Sequence, residues 1–175
     1  MKSRFSSALV FCLAFSVFPR PAWPAPDAFD DQRDEKSRSE AEVELPAFPE
    51  NDDLIPFKVG SATDKRFLID RKSISVGSDQ AIRYSVVVIS SAGARNISFE
   101  GMRCSTGERR VYAFGRNDGT WSRARNSKWA GIRGGGNSYP VALFADYFCV
   151  IGQRTIMTPE DAIRALLYGD RLMGP

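Results

Sequence analysis

The sequence predicts an α+β protein with a single small domain. An antiparallel β-meander of about five to six strands is packed by one or two C-terminal helices and tied by one disulfide. Three observations lead to this prediction. Short apolar strand patterns follow one another between residues 66 and 125, separated by tight turns. A clear helix start stands at Thr158-Pro159. Two cysteines, Cys104 within the strand region and Cys149 before the helix start, can tie the two parts together.

The strand patterns are closely spaced along the chain. Residues 66–70 and 73–76 are short strand signals, followed by a Gly-Ser-Asp turn. Residues 82–90 give the strongest signal, because β-branched side chains run through them. In residues 96–104 the apolar side chains change face at Gly101, which indicates a bulge. Closely spaced strands joined by tight turns are typical of an antiparallel meander.

Residues 109–116 predict a further strand, and Asp118-Gly119 behind it is the favoured two-residue hairpin turn. With that turn, arginines and aromatic rings share one face of the hairpin. The members of this set are Arg110, Tyr112, Phe114, Arg116, Trp121, Arg123 and Arg125. A three-residue Asn-Asp-Gly loop with a bulge would split the set between the two faces, so the shared face is conditional on the turn.

The arginine–aromatic set has two interpretations. As a binding surface it would take an anionic envelope component or a protein partner, because guanidinium groups pair with carboxylates and phosphates. Aromatic rings beside them would stack on a ligand. Alternatively, it is an ordinary amphipathic sheet face on which arginine stems lie against rings. Specific nucleic-acid binding is not expected.

The C-terminal third predicts helices. Val141, Phe144, Tyr147 and Phe148 are spaced for one helix face, which would carry Cys149 onto the sheet. A buried strand is the alternative for this stretch. The glycine run at residues 134–136, just before it, is interpreted as a flexible loop, because it lacks the lysine and hydroxyl residue of a phosphate loop.

The last helix is predicted to begin with Thr158 as N-cap and Pro159 in the first turn. Ile163, Leu166 and Leu167 form its predicted buried stripe. Gly169 is predicted to end it, since glycine is the usual residue just past a helix.

Residues 1–25 are typical of a secretory signal peptide. Lys2 and Arg4 precede an apolar run at 5–18, which is too short to span a bilayer. An uncleaved interfacial anchor is the alternative. Export predicts a periplasmic or secreted protein with no transmembrane span in the mature chain. Cys12 leaves with the leader, and Cys104 and Cys149 are then expected to pair, because disulfides persist in oxidising compartments.

Charge divides the remaining chain in two. Residues 26–53 carry eleven acidic and three basic residues, a net charge of −8, with little apolar content. They predict a disordered acidic lead, within which Leu45-Pro-Ala-Phe-Pro could dock as an extended piece. Residues 54–175 form the domain and carry a net charge of +8. The lead either shields this basic surface in cis or acts only as a solubilising tail.

The composition excludes several chemistries. The chain has no histidine, so Ser-His-Asp triads, Cys-His pairs and imidazole metal sites are absent. No cofactor and no metal are expected. A carboxylate pair remains as a candidate: Glu100 and Asp146 lie near the two cysteines in sequence, and would suit a glycan hydrolase. A non-enzymatic binding or accessory module is the leading hypothesis.

Several motifs resemble one family. The stretches are LIPF at 54–57, FLIDRKSISVG at 67–77, ISFEGMRCSTGERRVYAFGRNDGTWSRARNSKW at 97–129 and DYFC at 146–149. They are similar to the cryptic neisserial protein-like family of bacterial envelope proteins. The resemblance implies an exported bacterial protein without an assigned activity. The family often has a histidine just before DYFC, whereas Pro140 stands in that vicinity here.

Overall fold

A computed structural model of the chain describes residues 43–60, 63–134, 138–149 and 156–172. The predicted signal peptide, residues 26–42 of the acidic lead, and residues 135–137, which include two glycines of the glycine run, lie outside the described residues. One antiparallel sheet has the order β1-β2-β3-β4-β5-β6, with β7 also paired to β5. The strands are β1 Leu54–Phe57, β2 Arg66–Val76, β3 Ile82–Ile89, β4 Arg95–Arg103, β5 Glu108–Gly115, β6 Trp121–Arg123 and β7 Ala130–Gly131. The α+β meander is confirmed.

Two local predictions about the strands differ from the structure. Residues 66–70 and 73–76 are parts of the single strand β2, which contains a register shift between Asp70 and Ser75. The predicted bulge at Gly101 is wrong, because β3 and β4 pair in continuous register through it. Its apolar neighbours change face simply because both faces of this sheet are buried. The bulge lies on β5 instead, opposite Phe99 and Glu100.

The helices cover one face of the sheet. Helix α1, Tyr139–Ala142, continues directly into a π-helical segment, Leu143–Phe148. The helical prediction for this stretch is therefore confirmed over the buried-strand alternative. Its inner residues join the main core, where Phe148 packs on Tyr84 with ring centroids 5.4 Å apart. Cys149 then forms the predicted disulfide with Cys104.

Helix α2, Pro159–Leu172, begins as predicted: the Asp161 backbone N–H donates to Thr158 Oγ1 at 3.2 Å. Leu166 is buried but Leu167 is 49 % exposed, so the predicted stripe is wrong at that residue. Gly169 does not end the helix. A Cβ atom there would lie 3.2 Å from the Tyr147 ring, so this glycine permits close helix packing. No helix within the described part of the chain is both long and apolar enough to cross a bilayer.

An extended segment covers the other face of the sheet. Residues 43–50, here called the strap, run across it before a 3₁₀ turn at Asn51–Asp53 leads into β1. Trp121 Nε1 donates to the Pro46 carbonyl at 2.9 Å, and Phe48 packs on the Trp121 ring at 5.2 Å. Asp53 forms an ion pair with Lys72 of β2 at 2.7 Å. The C-terminal part of the predicted acidic lead thus docks as a packed layer of the domain.

Asp70 offers a test of the strap side of the sheet. It is 3 % exposed, and burial raises the pKa of its carboxyl above the usual 3.8, against a lowering hydrogen bond from the Lys72 backbone N–H. A folded-state pKa above the unfolded one means that stability is lost as pH rises through that range. The stability of Asp70→Asn relative to the wild type is therefore expected to increase as the pH is raised from 3 to 7. Urea unfolding at both pH values measures this; a constant difference would contradict it.

Candidate functional site

The hairpin between β5 and β6 decides where the predicted site residues lie. The Arg116 backbone N–H donates to the Thr120 carbonyl at 2.8 Å, and Gly119 N–H donates to the Arg116 carbonyl at 3.1 Å. The loop therefore has three residues, Asn117 to Gly119, and the two-residue prediction is wrong. A two-residue turn needs positive φ at Asp118 as well. Only Gly119 adopts it, at 79°, while the Asp118 carboxylate accepts from the Thr120 N–H and hydroxyl.

The longer loop splits the arginine–aromatic set. Gly115 pairs with Trp121, Phe114 with Ser122 and Ala113 with Arg123. Four members then lie on the strap side of the sheet: Arg110, Tyr112, Trp121 and Arg123. Phe114, 51 % exposed, lies on the opposite side with Ser122, to which Arg116 donates at 3.2 Å. Arg125 follows the end of β6 and is exposed. The single shared face does not exist.

The rings on the strap side are largely occupied. Tyr112 is buried and contacts Phe99 and Trp129, with centroids 5.5 and 6.4 Å apart. Trp121 packs against Phe48 of the strap. Because these rings form a second small core, they are not an open platform for stacking. The amphipathic interpretation therefore describes Tyr112 and Trp121, whereas the Phe114 ring is exposed on the other side.

The arginines on the strap side and just after β6 differ in their partners. Arg110 lies over the Tyr112 ring at 5.2 Å and donates to Ser127 Oγ at 2.8 Å. Arg123 and Arg125 are exposed, and neither forms an ion pair with a carboxylate of the described chain. Arg123 and Arg125 are called the basic rim below. Its guanidinium groups are the part of the predicted site that remains open to a partner.

Glu100 lies at the centre of a buried network on the helix side. It is fully buried, and Arg109 donates to both of its oxygens, from Nε at 2.6 Å and from Nη2 at 2.5 Å. Ser98 and Tyr139 also donate to Oε1, at 2.6 and 2.8 Å. Burial lowers the pKa of Arg109, but the bonds to Glu100 outweigh this and raise it. Burial and the nearby Glu100 charge raise the pKa of the Tyr139 hydroxyl well above its usual value.

The candidate carboxylate pair does not form a recognisable catalytic arrangement. Glu100 accepts bonds from three side chains out of reach of solvent, whereas Asp146 is exposed on the π-helical segment. A glycosidase needs two carboxyl groups flanking one substrate bond. The surroundings of Glu100 fit a structural carboxylate whose buried charge is compensated by Arg109.

A second buried ion cluster was missed in the sequence. Asp79 is bound through both oxygens by Arg83, at 3.1 and 2.7 Å, and lies 3.7 Å from Arg103. Arg103 in turn lies over the Trp129 ring at 4.2 Å. Asp79 stands in a turn, where an aspartate is expected for local reasons. Only the strand register reveals that it neutralises interior arginines.

The fold and these contacts define a small disulfide-bonded α+β domain whose interior acids neutralise interior arginines. The chain belongs to the CNP1-like family, whose family model matches residues 33–167. The match includes most of the acidic lead as well as the sheet, the disulfide and most of α2. No curated protein and no solved structure matches the chain. Family membership supplies no activity, so function has to be argued from the surface itself.

Proposed function

We propose that the protein is an exported, non-enzymatic binding module of the bacterial envelope that engages an anionic partner through the basic rim. The predicted leader and the resemblance to the cryptic neisserial protein-like family support the export part of this proposal. Residues 54–175 carry a net charge of +8, which favours encounter with anionic surfaces.

One observation carries the proposal. The fold uses Glu100 and Asp79 to neutralise interior arginines, whereas Arg123 and Arg125 stand exposed without a carboxylate partner among the described residues. An exposed guanidinium offers several donors in a planar fork that matches carboxylate and phosphate groups. The glycan hydrolase is not proposed, because Glu100 is held in a buried ion pair.

Arg123→Glu tests the proposal. Each basic residue near an anionic membrane surface contributes about 1 kcal/mol. Reversing one charge should therefore cost about 2 kcal/mol, or roughly thirtyfold in affinity. Co-sedimentation with phosphatidylglycerol vesicles and retention on a sulfated-glycan resin measure the loss.

Arg66→Glu is the matched control, because Arg66 is an exposed arginine at the start of β2, outside the basic rim. It changes the net charge by the same amount and should retain most of the binding. Equal losses of binding for both variants would show that the interaction depends only on net charge. Unchanged binding by Arg123→Glu would refute the basic rim as the site, and binding to neither support would refute the anionic partner.

A further inference from the structure

A cavity of about 460 Å³ opens where the strap meets the start of β4 and the β5–β6 loop. Its volume falls in the range of small-ligand clefts, roughly 300–1,000 Å³. Phe48 and Asn51 line it from the strap side, Arg95 and Ile97 from β4, and Arg116 and Asn117 from the loop. The cavity exists only because the strap is docked, and the sequence alone could not bring these three segments together.

The arginine that faces this cavity is oriented by a neutral group. Arg95 Nη1 donates to the Asn51 side-chain oxygen at 2.9 Å, whereas Arg116 borders the cavity but directs its guanidinium to Ser122 Oγ on the opposite side of the sheet. The amide partner holds the Arg95 guanidinium in place but leaves its charge uncompensated. Glu50 is the one acid in the cavity wall, and its carboxylate lies 3.9 Å from Lys72 Nζ, outside the cavity. The wall therefore favours an anion.

The floor of the cavity is apolar. A Cβ atom at Gly115 would lie 2.8 Å from Ile97 Cβ and 3.0 Å from the Phe48 ring, so the bare backbone makes room for both side chains. An apolar floor suits one face of a ring. The side-chain amides of Asn51 and Asn117 can both donate and accept, which matches hydroxyl groups.

From this combination we infer that the cavity binds an acidic sugar unit, a sugar ring that carries a carboxylate or a phosphate. The ring lies on Phe48 and Ile97, its hydroxyls meet the asparagine amides, and its charged group meets Arg95. This site is separate from the basic rim and does not depend on the function proposed for it.

Isothermal titration of the full oxidised protein with four probes tests the inference. Glucuronate and glucose 6-phosphate carry both ring and charge, glucose carries the ring alone, and inorganic phosphate carries the charge alone. At least one acidic sugar should bind about tenfold more tightly than glucose and than phosphate, because a hydrogen bond to a charged group contributes about 1.5–3 kcal/mol. Which of the two binds better distinguishes a carboxylate from a phosphate.

Variants then locate the site. Arg95→Ala should weaken binding of the acidic sugar about tenfold, because one hydrogen bond to a charged group is lost. Its affinity for glucose should be unchanged. Arg95 also donates a hydrogen bond to Asn51 in the turn after the strap, so Arg95→Ala could change the position of that turn. Asn117→Ala, in the exposed loop, is therefore a second variant that does not affect the strap. This variant should weaken binding of both the acidic sugar and glucose severalfold, as expected for the loss of one neutral hydrogen bond.

Arg66→Ala is the control for charge, and it should bind all four probes as the wild type does. Equal affinity for glucose and glucuronate would overturn the inference, as would phosphate binding as tightly as glucose 6-phosphate. Unaltered binding by both cavity variants would overturn it too. Arg123→Glu distinguishes the two proposals, because this variant should lose vesicle binding and still bind the acidic sugar.

Discussion

Removing the Cys104–Cys149 disulfide is expected to lower the free energy of unfolding by about 4 kcal/mol. The bond joins residues 45 positions apart, and a cross-link of that span restricts the unfolded chain by about this amount in the chain-entropy model. It also ties the end of the π-helical segment to the end of β4, between the sheet and the helices that cover it. This loss is a large share of the roughly 5–15 kcal/mol by which folded proteins are typically stable.

The double variant Cys104→Ser/Cys149→Ser and the wild type, each with and without reductant, measure this in urea. Reductant should shift the wild type to the unfolding midpoint of the double variant and should leave the double variant unchanged. The same midpoint for oxidised and reduced wild type would show that the bond contributes nothing. Two free thiols in the denatured, unreduced protein would show that it does not form.

Arg109→Leu is expected to cost about 3–5 kcal/mol, the usual loss when one partner of a buried ion pair is removed. Glu100 is fully buried, and without Arg109 its charge would be held only by the hydroxyls of Ser98 and Tyr139. The Arg109 side chain is 28 % exposed, so solvent screens part of the interaction and favours the lower end of the range.

A double-mutant cycle with Glu100→Gln isolates the pair. The combined variant should be more stable than Arg109→Leu alone, because it no longer buries an unpaired charge. Arg66→Leu is the control, and substitution of this exposed arginine should change stability by no more than about 0.5 kcal/mol. Strictly additive losses would mean that Glu100 and Arg109 do not stabilise the fold as a pair.

The candidate site was only partly predictable. The residues of the basic rim are present in the predicted set, but their neighbours depend on one loop residue. A three-residue loop in place of two moves Phe114 and Arg116 to the other side of the sheet, because side chains alternate along a strand. The cavity was missed altogether, since Phe48 and Arg95 are far apart in sequence and only Leu45–Pro49 suggested docking.

The sequence by itself determined the antiparallel meander, the helix start at Thr158 and the pairing of two cysteines. These features depend on local chemistry: β-branched runs and tight turns, a hydroxyl cap before a proline, and two thiols left in a chain without histidine. The tertiary structure alone decided which face each arginine occupies, that the strap covers the sheet, and that Glu100 and Asp79 are interior counter-ions. Such choices depend on strand register and on contacts between distant segments, which no local pattern encodes.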